Sequence, residues 1–266
     1  MIRLIGIDVD GTLVGSGGKV DPGVWPAAAR ARAAGIHLAL CSGRPAFGVA
    51  LDYARQLEAD GWHVFQNGAS IIHLADGQVR SVALPPDSVR ALIAQARSTG
   101  YVLELYGDNQ YVVESESAWA HAHAALLGVP FRARAFESIT EPVVRAQWLL
   151  SAAATKQVTA TPHPYLEVAQ SSSTLMSDTT FVGLTREGIS KGSAVRAIAS
   201  EYGVALHDVM YVGDAGNDLP ALEIVGYPVA MANADSAVLK VARHTVGHVD
   251  QGGLAQALEL AMNNLG

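Results

Sequence analysis

Two short runs, RLIGI (3–7) and IHLALC (36–41), are almost wholly apolar and flank a stretch of helical composition. Strands that read as continuous apolar runs are covered on both faces, which points to a parallel sheet rather than an open antiparallel one. Between them, DPGVWPAAARARAAG supplies a helix, with Asp21 or Pro22 at its entry, Pro26 as an alternative starting point and Gly35 as its stop. PAFGVALDYARQLEADG (45–61) reads as a second helix and WHVFQ (62–66) as a weaker third strand. Alternation of this kind closes by right-handed crossovers into a doubly wound parallel sheet.

The alternation breaks at Pro85-Pro86. A helix follows, and YVLELYGDNQYVVES then reads as a hairpin turning at Gly107–Asn109, with one exposed face. A helix near 115–127 and possible strands at RAQWLLSA and YLEVAQ continue this material. The parallel pattern resumes at ISKGSAVRAIASEYG, where Ala194, Val195, Ile198, Ala199 and Tyr202 fall at helical spacing. DVMYVG, NDLPALEIVG and YPVAM add strand, helix and strand, and two further helices follow. The expected organisation is an α/β core formed by 1–83 and 186–266, carrying an inserted α+β domain over 84–185.

Composition removes several classes of function. A net charge of −7 and the absence of a basic run argue against a nucleic-acid groove or an anionic membrane surface. No apolar stretch reaches the roughly 18 residues of a membrane helix, and the N-terminal apolar run is too short for a signal peptide. Cys41 is the single cysteine, so no intramolecular disulfide can form, and its position suits a small buried residue at a strand end. A cytoplasmic protein is expected, while oligomeric state is not legible.

In a parallel sheet the functional loops lie beyond the carboxyl ends of the strands. Four such places carry a consistent set of residues: Asp8, Asp10, Gly11 and Thr12; Ser42, Gly43 and Arg44; Lys191; and Asp214, Asn217 and Asp218. Each group alone has a blander explanation as a turn, a helix cap or a solvated lysine. Together they describe a pocket in which crowded carboxylates require a cation, and hard oxygen ligands favour Mg²⁺. Lys191 and the Ser42 hydroxyl, with the amides of Val9 and Gly43, would hold phosphate oxygens. Asp8 is then a nucleophile toward phosphorus and Asp10 the acid and base for the leaving oxygen and the incoming water.

The segments DVDGT (8–12), SGR (42–44), NGA (67–69), ISKG (189–192) and GDAGND (213–218) resemble the sequence motifs of haloacid dehalogenase (HAD) superfamily phosphatases of the Cof-like type, class IIB. YPVAMANADSAVLKVA and DQGGLAQAL are similar to the family's C-terminal stretches, although Ala232 and Ser42 stand where Gly and Thr are common. The resemblance implies a Rossmann-like core with a large inserted α/β cap that closes over the site and selects the leaving group. It also implies an aspartyl-phosphate on Asp8, with Asp8, the Asp10 carbonyl and Asp214 on Mg²⁺. Ser42, Gly43, Lys191 and Asn217 would lie on the phosphoryl group, with Thr12 and Asp218 supporting them. The expected substrate is a small phosphorylated metabolite such as a sugar phosphate. A phosphomutase would use the same aspartates, and a silent binding module would have lost one of them. A nucleotide-dependent oxidoreductase fits poorly, because GSGG (15–18) is not GxGxxG. Tyr106, Trp119, His121, His123, His163 and Tyr165 are the polar and aromatic residues of the inserted region, read chiefly as surface or packing residues.

Overall fold

The computed structural model describes residues 1–173 and 176–263. In chain order the elements are β1 (Leu4–Ile7), α1 (Val24–Ala33), β2 (His37–Leu40), α2 (Val49–Glu58), β3 (Trp62–Phe65) and β4 (Ser70–His73). Then come α3 (Pro86–Thr99), β5 (Val102–Tyr106), β6 (Tyr111–Val113), α4 (Ala118–Leu127), β7 (Arg145–Leu150), α5 (Ala152–Ala160), β8 (Leu166–Ser173) and β9 (Met176–Arg186). The last part comprises α6 (Lys191–Glu201), β10 (Val209–Gly213), α7 (Leu219–Leu222), β11 (Tyr227–Met231), α8 (Ser236–Val241), β12 (His244–Val246) and α9 (Gly253–Asn263). They divide into two compact units, one of residues 1–44, 50–80 and 190–266, the other of 45–49 and 81–189.

The first unit is built on a five-stranded parallel sheet in the order β12-β11-β10-β1-β2. All four residues of β1 are buried, as a strand covered on both faces requires. Ala194, Val195, Ile198 and Ala199 of α6 are buried against Leu4, Val209 and Tyr211 of the sheet, so the helical spacing read from the sequence is the packing face. α1 begins at Val24, with Asp21 Oδ1 accepting the Gly23 amide at 2.8 Å and Pro26 tolerated in the first turn. Cys41 is fully buried at the end of β2.

β3 and β4 form a hairpin that meets the parallel sheet at the Cys41–Val64 bridge. His63 extends that junction. Its Nδ1 accepts the Leu40 amide at 3.0 Å and its Nε2 donates to the Glu58 carbonyl at 2.7 Å, which specifies the neutral Nε2–H tautomer.

The second unit has a five-stranded antiparallel sheet in the order β6-β5-β7-β9-β8. The β5–β6 hairpin turns where the sequence indicates, but its expected exposed face is not found: all five residues of β5 are buried. Leu103 and Leu105 pack with Leu92 and Ala96 of α3 and Ala154 and Val158 of α5. The alternate side carries Glu104, which buries its carboxylate among four donors: the Tyr106 and Tyr111 hydroxyls, His123 Nδ1 and Gln147 Nε2, all at 2.6–3.1 Å. The alternation of this strand records two kinds of burial, one apolar and one hydrogen-bonded.

α2 also departs from expectation, starting at Val49 rather than at Pro45. Residues 45–49 group with the second unit instead, where Phe47 packs on Tyr106 and Tyr111 at ring separations of 6.4 and 6.3 Å. Among the described residues no helix is long and apolar enough to cross a membrane.

Burial holds the His63 imidazole down from its ordinary 6.5 to about 4. Between these values the unfolded chain binds a proton that the folded chain refuses, so stability declines as pH falls from about 6.5 to about 4. The full contribution is about 3 kcal/mol. Urea unfolding at pH 7.5 and 4.5 checks this: wild type should lose more stability on acidification than His63→Gln, and equal losses would refute it.

Candidate active site

The carboxyl ends of β1 and β10 lie side by side, with Ile7 in register with Val212. The chain therefore delivers Asp8 and Asp214 to adjacent positions. The loop after β1 turns sharply, and the Val9 carbonyl accepts the amides of Thr12, Leu13 and Val14. Gly11 takes a positive φ of 89°, and a Cβ there would lie 2.1 Å from Asp214 Oδ2, so only glycine lets this loop press against the second carboxylate. Thr12, buried, donates its hydroxyl to Asp214 Oδ1 at 3.1 Å.

Lys191 is the first residue of α6. Ser190 and Ser193 close a capping box around it, each bonding the other's backbone amide. A cation at a helix N-terminus opposes the helix dipole, yet the Lys191 side chain is fully buried, with its Nζ on Asp8 Oδ1 and, at 2.7 Å, on Asp218 Oδ1. Burial disfavours the ammonium, but Asp218 and Asp8 outweigh that and hold it above the usual lysine value. Asp218 is also bonded by the Tyr211 hydroxyl at 2.7 Å and, through Oδ2, by the amides of Asp214 and Ala215 at 3.0 and 3.1 Å.

Asp8, Asp214 and Asp218 bring carboxylate oxygens within 4.8 Å of one another. Burial, followed by repulsion from Asp218, pushes the Asp8 carboxyl well above its ordinary value. The same two causes in the same order raise Asp214 to about 6. Three carboxylates face one ammonium, a deficit of two positive charges. Asp218 has both oxygens committed to donors, whereas Asp8 and Asp214 approach within hydrogen-bond reach of each other. Such a pair either shares a proton or is bridged by a cation. The donor set therefore fits a divalent metal ion, with Asp8 and Asp214 as the residues that would hold it.

The Asp10 side chain stands apart from this cluster. It is 61 % exposed and forms a two-pronged pair with Arg44, Oδ2 to Nε at 3.0 Å and Oδ1 to Nη2 at 2.5 Å. Ser42 is fully buried, and its hydroxyl accepts the Arg44 amide at 3.0 Å. Asn217 donates through Nδ2 to Asn67 Oδ1 at 3.1 Å, and the Asn67 side chain lies against Gly43. The structure thus joins Asp8, Thr12, Lys191, Asp214 and Asp218 by direct contact. Ser42 bonds Arg44, which holds Asp10 at the rim, and Asn217 meets Gly43 through Asn67. The sequence reading assigned no role to Arg44, Asn67 or Tyr211. Arg44 and Asn67 lie inside motifs that it quoted, while Tyr211 sits in a strand with nothing to single it out. Among the inserted-region residues, Tyr106 and His123 are buried on Glu104, His121 stacks on Phe131 at 3.7 Å, Trp119 donates to Asp178 and Tyr165 is exposed.

A parallel sheet with an acidic cluster and a buried lysine at its carboxyl end, together with a separate antiparallel unit, defines an enzyme class. The family model for haloacid dehalogenase-like hydrolases matches residues 5–258, and the chain belongs to that family. It is 28 % identical to "Putative phosphatase YxeH" of Bacillus subtilis (strain 168), covering 97 % of each chain. A haloacid dehalogenase-like hydrolase from Bacteroides thetaiotaomicron superposes with a TM-score of 0.85 at 26 % identity, covering 98 % of this chain and 99 % of the other. A HAD subclass IIB sugar phosphatase superposes with a TM-score of 0.80 at 22 % identity, covering 97 % and 98 %, and at that identity shows the shared fold.

If Asp8 and Asp214 hold a divalent ion, saturating Mg²⁺ should raise the melting temperature of the metal-free protein by about 3 °C or more. Asp214→Asn should abolish that shift. Equal shifts in the two proteins, by calorimetry, would remove Asp214 from the metal site.

Proposed function

We propose that the protein is a Mg²⁺-dependent phosphomonoesterase that acts on a small phosphorylated metabolite through an aspartyl-phosphate on Asp8. The observation that carries this reading is the Asp8 carboxylate itself, buried at the end of β1 with one oxygen on Lys191 and with Asp214 alongside. A buried acid held by an ammonium yet raised by its neighbours is poised for chemistry rather than for stability. The phosphatase name of the Bacillus subtilis relative supports the reaction class, and the sugar phosphatase with the same fold suggests a sugar phosphate as substrate.

In this reading an Asp8 oxygen attacks phosphorus and the ester P–O bond breaks, with the departing oxygen taking its proton from Asp10. Asp10 then takes a proton from the water that attacks the same phosphorus, and inorganic phosphate leaves with the Asp8 carboxylate restored. Arg44 holds Asp10 at the exposed rim, so that pair opens before Asp10 reaches a leaving group. Lys191, the Ser42 hydroxyl, Asn217 and the amides of Val9 and Gly43 take the phosphoryl oxygens, while Thr12 and Asp218 hold their neighbours in place. Mg²⁺ bound by Asp8, Asp214 and the Asp10 carbonyl would neutralise charge between the nucleophile and the phosphoryl group. The hydrolase core is assigned to 1–83 and 186–266 and the substrate-selecting part to 84–185, in a cytoplasmic enzyme.

Phosphate release from a panel of phosphomonoesters, with and without Mg²⁺, tests this directly. Asp8→Asn should lower kcat by on the order of 10³-fold or more, and Lys191→Met by on the order of 10²-fold. Turnover that persists in Asp8→Asn, or in EDTA, would overturn the mechanism.

A further inference from the structure

Tyr211 is a buried tyrosine whose ring and hydroxyl serve different ends. Its ring belongs to the apolar cluster formed with Ala194, Val195 and Ile198 of α6. A phenylalanine would fill that space equally well. The hydroxyl instead reaches Asp218 Oδ1, the same oxygen that receives Lys191 Nζ, each at 2.7 Å. Asp218 Oδ2 is already occupied by two backbone amides. The one oxygen through which Asp218 touches Lys191 is therefore shared with Tyr211.

Space for the tyrosine depends on the neighbouring strand. Gly6 is its register partner, and a Cβ built on Gly6 would lie 2.6 Å from Tyr211 Cδ2 and 3.5 Å from Cys41 Sγ. Any side chain at position 6 would displace the ring. Gly6 thus admits Tyr211, which bonds Asp218, which bonds Lys191, which bonds Asp8, and every link lies in the first unit.

We infer that Tyr211 is a positioning residue for Lys191: its hydroxyl satisfies part of Asp218, so that the ammonium stays divided between Asp218 and Asp8. Without that donor, Asp218 Oδ1 is left to Lys191 alone, and the ammonium is drawn away from the nucleophile. The inference rests on the reading of Asp8 and Lys191 as the reacting pair.

The test compares Tyr211→Phe, which keeps the ring, with wild type, and uses two readouts. The first is steady-state phosphate release, in which kcat should fall about tenfold, the size of one lost hydrogen bond to a charged group, with KM within about twofold. The second needs no turnover. The chain has four lysines, and with ¹⁵N-labelled lysine the buried Lys191 ammonium should give a slowly exchanging NMR signal. That signal should shift and exchange faster in Tyr211→Phe. Gly6→Ala, which pushes the ring aside, should reproduce both changes.

Wild-type kcat in Tyr211→Phe overturns the inference, whether or not urea shows the variant to be less stable. So does an unmoved Lys191 signal. Asp8→Asn separates the two readings: if it is inactive while Tyr211→Phe matches wild type, the positioning role alone fails. If Asp8→Asn retains turnover, the nucleophile assignment fails, and the ammonium signal alone judges whether Tyr211 positions Lys191.

Discussion

The Lys191 ammonium, buried between Asp8 and Asp218, organises the carboxyl end of the parallel sheet. Taking that charge out of water is costly, and the two carboxylates compensate it. Its position in turn fixes theirs. Asp218 is drawn in beneath the loop after β10, where two amides and a tyrosine hydroxyl complete its coordination. Asp8 is held at the end of β1, facing Asp214 across a loop that only glycine at position 11 allows to pack so closely. α6 begins with a residue of the wrong sign for its dipole. Long-range attraction to two acids from other strands outweighs that local penalty.

The molecule contains a second buried acid, and the contrast between the two is informative. Glu104 in the antiparallel unit meets four donors at 2.6–3.1 Å and no other carboxylate among them. It is electrostatically finished, and it pins Tyr106, Tyr111, His123 and Gln147 in one arrangement. The Asp8 cluster is not finished. Three carboxylates share one ammonium, and Asp8 and Asp214 are pushed above their ordinary values by burial and then by repulsion from Asp218. A fully satisfied buried acid stabilises a fold, whereas an under-neutralised group of acids is a place that a cation could complete.

Much of this was legible in the sequence where local rules govern. The apolar runs at 3–7 and 36–41, the helical spacing of Ala194, Val195, Ile198 and Ala199, and the change of pattern at Pro85-Pro86 gave a parallel α/β part and a separate antiparallel part. Less was legible where packing overrules pattern. β9 and α5 had no distinctive periodicity. β12 is only three residues long, and α2 starts at Val49 because Phe47 packs on Tyr106 and Tyr111. β5 looked half-exposed because alternation cannot distinguish a solvent face from a face covered by a hydrogen-bonded network.

The sequence by itself determined which acidic and small residues follow the apolar runs of β1 and β10, because residues after such runs fall at the carboxyl mouth of a parallel sheet. Only the tertiary structure decided how those residues divide their contacts. Asp218 became an acceptor saturated by four donors, Asp10 turned outward to Arg44, and Tyr211 found room beside Gly6. Those choices depend on distances between segments more than two hundred residues apart in the chain. No local pattern encodes such distances, because they are set by strand register and by the balance of buried charge.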